Sequence, residues 1–398
     1  MWSEITDLAR RQRGRGFECV RLGMPNSTMK KKGLSPTTEL LCQLTGRNNV
    51  VLAGRATAAI MAALRVWGIE NEWVLLPANI CYIVLWGVLQ TGNYPYLIDV
   101  DPETANISMK SLLSCNIANP AAIIVTHMYG LGAPIAAIME WAQRTGTRVI
   151  EDATLALGAN VDGRPAGSWG DMSVLSFGSG KIIDIGLGGA LVSDDPTFSR
   201  SVEQELGKLP KWSKRFEELN RQWLEIYWAF HQFEDVNKDL LKLYPGLYEI
   251  YNLLTGFQLP ESYWDRLLEP LRSLPVNLDR RRKMTSILES RLEGLPIRRL
   301  YTPNGSILWK YPLLVSPDDR NQLLDYLWQH EIGLATRWYP SIRIMLKSLE
   351  KQGPDQETPG ADRLAAEIIN LCVDSNVDIS DTRRTASVIK SYFLEKYA

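Results

Sequence analysis

The chain has 398 residues, 45% apolar and 22% charged, with a formal net charge of −1. That length exceeds one typical domain and can bury a sizeable core without disulfides or a structural metal. The near-zero charge leaves no electrostatic footprint of a nucleic-acid binder, and the short basic run Lys30–Lys32 is expected to be solvated surface.

From about residue 49 to 195, short β-branched apolar runs alternate with helical patterns. Strands are expected at Asn49–Ala53, Glu72–Leu76, Pro95–Val100, Ala122–His127, Arg148–Asp152, Met172–Phe177 and Ala190–Ser193. Amphipathic helices such as Thr57–Trp67 and Ile135–Arg144 lie between them. Near-continuous apolar strands separated by helices predict a mainly parallel seven-stranded sheet sandwiched by helices, with ligands beyond the carboxyl ends of the strands. Residues from about 200 to 265 are rich in aromatic and charged side chains, and Trp223, Tyr227 and Phe230 fall at helical spacing. A core or subunit-interface face is expected there; the alternatives are an apolar substrate pocket or a membrane-surface contact. Farther on, helices are expected at Asp279–Leu295, Pro317–His330 and Asp381–Tyr397, with a strand at Ile307–Val315. The organisation read from this is an N-terminal arm and large domain over residues 1–260, including the aromatic-rich helical segment, and a small α+β domain over 261–398.

The five cysteines (Cys19, Cys42, Cys81, Cys115, Cys372) form no CxxC pair, and three histidines are too few for a His-rich centre, so no metal is expected. Scattered thiols, an N-terminus lacking a basic end followed by an apolar stretch, and no apolar run of bilayer length suggest a cytoplasmic protein without a membrane span.

Chemistry is concentrated in a few short stretches. The strand Ile150-Glu151-Asp152-Ala153 delivers two carboxylates at its carboxyl end. Each could be a solvated or capping group. The functional reading is an anion at the floor of a ligand crevice, where a carboxylate keeps a pyridine nitrogen protonated, as pyridoxal 5'-phosphate (PLP) requires. About thirty residues on, Ser176-Phe177-Gly178-Ser179-Gly180-Lys181 ends a strand in a glycine-rich turn, and Gly186 and Gly188-Gly189 follow. The choice is between a surface lysine in a flexible loop and a Schiff-base lysine, with Ser176 and Ser179 as phosphate donors. A Walker-type phosphate loop is a poor fit because Ile182 follows the lysine. Val51-Leu52-Ala53-Gly54-Arg55-Ala56-Thr57-Ala58-Ala59 is a strand, a turn and a helix start. Thr57 is expected to cap that helix, whose N-terminus can serve as a plain cap or a phosphate cup.

In this order the stretches resemble the nucleotide-sugar aminotransferase family of the DegT/DnrJ type, within the fold type I PLP enzymes. The resemblance runs from roughly residue 35 to the end. Its most specific part is Val125–Asp195: Thr126-His127-Met128-Tyr129-Gly130, the strand Val149–Asp152, Gly163–Asp171 and Ser176–Gly189. Leu76-Pro77-Ala78, Asp99-Val100-Asp101-Pro102-Glu103-Thr104 and Arg337-Trp338-Tyr339-Pro340 add to it.

The resemblance implies a PLP cofactor, with pyridoxamine 5'-phosphate as its alternate form. Lys181 would form the Schiff base and shuttle a proton, and Asp152 would pair with the pyridine nitrogen. Ser176 and the Thr57–Ala58 turn would hold the phosphate. Cys81, with Tyr82 beside it, falls where an aromatic usually covers the ring. Leu155 stands where a Gln is common, near the cofactor's phenolic oxygen. Leu157, Ile182 and Leu187 also depart from the pattern, and Thr255-Gly256-Phe257-Gln258 lacks the Asn that the partner chain usually offers to the phosphate. These departures imply a more apolar pocket. Lys181 in place of His argues against the dehydrating branch of the family.

His127, Tyr129, Arg337 and Tyr339 are substrate candidates. His127 is also readable as a structural residue, and Arg337 as either a carboxylate clamp or a surface pair. Asp184 is expected to be solvated. The resemblance further implies a homodimer with sites at the interface. The expected activity is transfer of an amino group from glutamate or glutamine to a keto group of a sugar or related biosynthetic intermediate. Another PLP reaction (decarboxylation, elimination or condensation) and a non-catalytic PLP-binding or partner protein stay open as alternatives.

Overall fold

A computed structural model of the chain describes residues 35–230, 238–337, 342–348 and 356–397. Cys19, Lys30–Lys32, Phe233 and the substrate candidate Tyr339 lie outside the described residues, as do the side chains of Tyr227, Trp228, Phe230 and Tyr244.

Seven strands form the main sheet: β1 (Asn49–Ala53), β2 (Trp73–Pro77), β3 (Tyr94–Ile98), β4 (Ala122–Thr126), β5 (Arg148–Asp152), β6 (Met172–Ser176) and β7 (Gly189–Ser193). Their order is β1-β7-β6-β5-β4-β2-β3. From β3 through β2, β4 and β5 to β6 every pairing is parallel, as the apolar strands with intervening helices predict. β7 runs antiparallel to both β6 and β1. The link from β6 to β7 carries no helix, and a short link lets the chain return only in the antiparallel sense. β1 therefore points the same way as β6, and the carboxyl ends of β1, β2, β4, β5 and β6 lie along one edge. The order reverses between β2 and β4, the kind of switch point at which open α/β sheets bind ligands.

Helices α1 (Pro36–Thr45), α2 (Ala56–Val66), α3 (Tyr82–Gln90), α4 (Ile135–Thr145) and α5 (Pro196–Gly207) accompany this sheet. Residues Thr57 to Leu64 of α2 are all buried, the pattern of a helix that is apolar on every side because it is enclosed. The aromatic-rich stretch forms α6 (Lys214–Phe230) and α7 (Lys238–Leu254). Trp223 is 1% exposed, with its ring 5.7 Å from Trp86 and 5.1 Å from Tyr251. Trp223 is thus a core residue, as expected for that position.

A second, four-stranded antiparallel sheet follows: β8 (Arg298–Arg299), β9 (Tyr311–Leu314), β10 (Thr336–Arg337) and β11 (Ile368–Leu371), in the order β8-β9-β11-β10. Helices Leu274–Arg291, Pro317–Gln329 and Ile379–Tyr397 accompany it, giving the smaller α+β unit. The strand expected at Ile307–Val315 is shorter because the chain before it meets the main sheet's loops. There Trp309 N donates to the Tyr129 carbonyl at 2.9 Å. No helix among the described residues is long and apolar enough to cross a membrane.

Candidate active site

The carboxyl ends of β1, β2, β5 and β6 open onto one cleft with about 770 Å³ of empty space, open solvent included. Strand alternation decides what faces it. Successive side chains on β5 point to opposite faces, so Glu151 and Asp152 part company. Asp152 lines the cleft and is held in place: its Oδ2 accepts from the Thr126 hydroxyl at 3.1 Å and its Oδ1 from Thr154 N at 3.0 Å. Glu151 is fully buried on the other face. It accepts from His127 Nε2 at 2.9 Å, Gly167 N at 2.7 Å, Trp169 N at 2.7 Å and the Ser173 hydroxyl at 2.6 Å. Burial alone would raise its pKa, but these donors hold it below the ordinary glutamate value.

Lys181 reaches the same cleft from the loop between β6 and β7. Its Nζ lies 3.5 Å from the Thr154 hydroxyl and 5.9 Å from the centre of the Trp309 ring. Burial holds the amine below the ordinary lysine range, against the opposing pull of Cys81 and Asp152. The loop is braced on several sides. Asp184 accepts from Gly180 N at 2.7 Å and Gly186 N at 2.8 Å, so it clips the turn rather than standing free in solvent. The Tyr263 hydroxyl donates to the Ile185 carbonyl at 2.6 Å and accepts from Leu187 N at 3.1 Å. Asn277 donates to the Ile182 carbonyl at 2.8 Å and Trp309 Nε1 to the Gly180 carbonyl at 2.5 Å.

The β1–α2 turn forms the opposite wall. The structure corrects one expectation here: Thr57 is not the helix cap. Arg55 occupies the cap position and makes no side-chain cap hydrogen bond, while Thr57 sits one residue inside α2. The first N–H groups of α2 are therefore left for another acceptor. Packing at this corner is tight. A Cβ on Gly189 would come within 2.3 Å of Ala56 N, and one on Gly54 within 2.3 Å of the Phe257 carbonyl oxygen.

Of the residues singled out from sequence, Thr57, Cys81, Asp152, Ser176, Ser179, Lys181 and Leu187 line the cleft, and Ala58 is buried just beyond Thr57. Tyr82 does not line it; the side chain is 1% exposed and packs edge-on to Trp86. Leu155 and Leu157 are core residues behind the cleft wall. His127 is fully buried, and its Nδ1 accepts from Ala133 N at 3.0 Å while Nε2 serves Glu151. Tyr129 is buried, and burial pushes its hydroxyl's pKa up. Arg337 is buried in the small sheet and is not among the cleft-lining residues. Arg55 and Thr154 line the cleft without having been anticipated as site residues, and Trp223 and Tyr251 line it from the aromatic-rich stretch, for which an apolar pocket was the alternative to a core face. Thr154 carried a signal, being a hydroxyl two residues after Asp152; the others gain their position only through the fold.

The sequence model of the DegT/DnrJ/EryC1/StrS aminotransferase family matches residues 37–234, whereas the motifs had suggested a resemblance through to the C-terminus. Protein MosB of Rhizobium meliloti is 32% identical over 195 residues, covering 48% of this chain and 38% of MosB. A UDP-N-acetyl-3-dehydro-alpha-D-glucosamine 3-aminotransferase of Acidithiobacillus ferrooxidans is 34% identical over 161 residues, covering 40% of this chain and 44% of the relative. The matched stretch thus spans less than half the length of these relatives. Among solved structures, the aminotransferase TlmJ from Streptoalloteichus hindustanus superposes with a TM-score of 0.73 at 21% identity, covering 92% of each chain. That likeness extends over both sheets and establishes the fold as type I.

Proposed function

The chain belongs to the DegT/DnrJ/EryC1/StrS aminotransferase family, and from that premise we propose that it is a PLP-dependent aminotransferase. It moves an amino group from glutamate or glutamine to a keto group of a sugar or related biosynthetic intermediate. The observation that carries this reading is the pairing of Lys181 and Asp152 on neighbouring strand ends, facing one cleft. The sugar relative from Acidithiobacillus ferrooxidans supports a sugar acceptor.

The residues present fit the cofactor. Asp152 is an oriented carboxylate for a ring nitrogen, the uncapped start of α2 suits a phosphate, and Ser176 stands opposite with a hydroxyl. PLP, when bound, supplies an aldehyde that captures amines and a ring that draws electrons from the substrate. Asp152, fixed by Thr126 and Thr154, holds the positive charge on that ring's nitrogen. Lys181 carries the proton at Nζ; its lowered pKa leaves more free amine near neutral pH, the form that attacks a carbonyl and accepts a proton. Thr57, Ala58 and Ser176 would hold the phosphate, and Cys81 would lie on the ring side of the cleft. Tyr339 belongs in this reading to binding of the amino donor; Arg337, buried in the small sheet, is left out of it, and Tyr129 supports Trp309 through its carbonyl. The enzyme acts as a cytoplasmic homodimer, with its large and small domains meeting at residue 260.

Borohydride trapping tests the assignment of the lysine. PLP-loaded protein is reduced, digested and mapped by mass spectrometry. The pyridoxyl mass is expected on the peptide containing Lys181; its appearance on another lysine, with Lys181 unmodified, would refute the assignment.

A further inference from the structure

We propose that Arg55 is the cation of a phosphate-binding subsite at the start of α2; on the reading above, that subsite takes the phosphate of PLP. Arg55 lines the cleft beside Ala56 and Thr57. Its guanidinium is aimed by neutral groups alone. Nε donates to the Leu254 carbonyl at 3.0 Å, Nη2 donates to the Asn220 side-chain oxygen, and the rings of Tyr251 and Phe257 each lie 5.7 Å away. Among the described residues, no carboxylate is in ion-pair contact with it. Arginine stays charged in proteins, and a half-buried cation without a counter-ion is costly. A phosphate dianion offsets that cost, because a guanidinium matches its oxygens with paired N–H donors.

The backbone adds to the same spot. The α2 amides have no side-chain cap, so backbone donors and the helix dipole add to the guanidinium charge. Phe257, 1% exposed, packs against Arg55 from the other side. The tight contacts at Gly54 and Gly189 fix the backbone on either side of Arg55.

The test uses Arg55→Gln and Arg55→Lys in the full chain. Affinities are measured for PLP by absorbance titration, for phosphate-free pyridoxal in the same way, and for inorganic phosphate on the apo protein by calorimetry. Arg55→Gln is expected to weaken PLP and inorganic phosphate by roughly 10- to 100-fold, the loss of one charge-assisted interaction, and to leave pyridoxal unchanged. Arg55→Lys is expected to recover part of the phosphate affinity, and it carries the test should the glutamine variant not fold. Phosphate affinity unchanged in both variants, or equal losses for PLP and pyridoxal, would overturn the proposal. Failure of the PLP reading has a different signature: wild-type protein that binds inorganic phosphate through Arg55 yet gives no imine absorbance with PLP.

Discussion

Glu151 and Asp152 are chain neighbours, and the pleat of β5 gives them opposite surroundings. Asp152 faces the cleft, held by the Thr126 hydroxyl and Thr154 N. Glu151 is enclosed by His127, Gly167, Trp169 and Ser173. Replacing Glu151 with Ala strands several buried donors, so urea denaturation at neutral pH is expected to show a loss of about 3–5 kcal/mol. The sign with pH follows from its lowered pKa. The stabilisation is present above the unfolded glutamate value of about 4.3 and is lost as pH falls through the folded value; the Glu151→Ala variant loses less stability over that acid range than wild type. At the cleft, Lys181→Ala is expected to lower turnover by at least roughly 10²–10⁴-fold, the usual scale of a general base, and to abolish the imine absorbance. Retained turnover without added amines would remove the lysine from the chemistry. Lys181 and Asp152 were legible in the sequence because their residue types, strand ends and spacing constrain one another locally. The enclosure of Glu151 was not, since its partners lie 16 to 24 residues away and only the folded sheet brings them in.

At the scale of elements, the seven strands were legible because each carries a short, largely apolar run and helical patterns separate several of them. The start of α2 was misjudged by a short distance, with chemical consequences. A threonine near a helix start reads as a cap, yet Arg55 takes that position and leaves the amides free. The close approach of β7 to this corner was likewise hidden in an ordinary-looking Gly188-Gly189 pair. Gly189→Ala would drive a Cβ to within 2.3 Å of Ala56 N, so β7 and α2 must separate. Thermal melts are expected to show a loss of about 1–3 kcal/mol, and dialysis a faster escape of PLP. A variant that keeps both properties would show that the corner yields freely. The Lys181 loop is held partly from residues 263 to 309, through Tyr263, Asn277 and Trp309; no local pattern announces braces so distant.

At the scale of the molecule, the two sheets share one continuous apolar core, and the structural likeness to TlmJ spans both. The mainly parallel seven-stranded sheet was legible because its near-continuous apolar strands alternate with helical patterns. Assembly is a prediction of another kind. The homodimer reading expects light scattering to return twice the 45.0 kDa chain mass; a value at the chain mass under all loading conditions would refute it. The central claim is that Lys181 and Asp152 serve PLP in amino-group transfer, and the most direct test is the absorbance spectrum of purified protein with PLP, before and after glutamate. The account predicts a visible imine band that fades on glutamate addition as pyridoxamine 5'-phosphate forms. A protein that gives no imine band with PLP would contradict it.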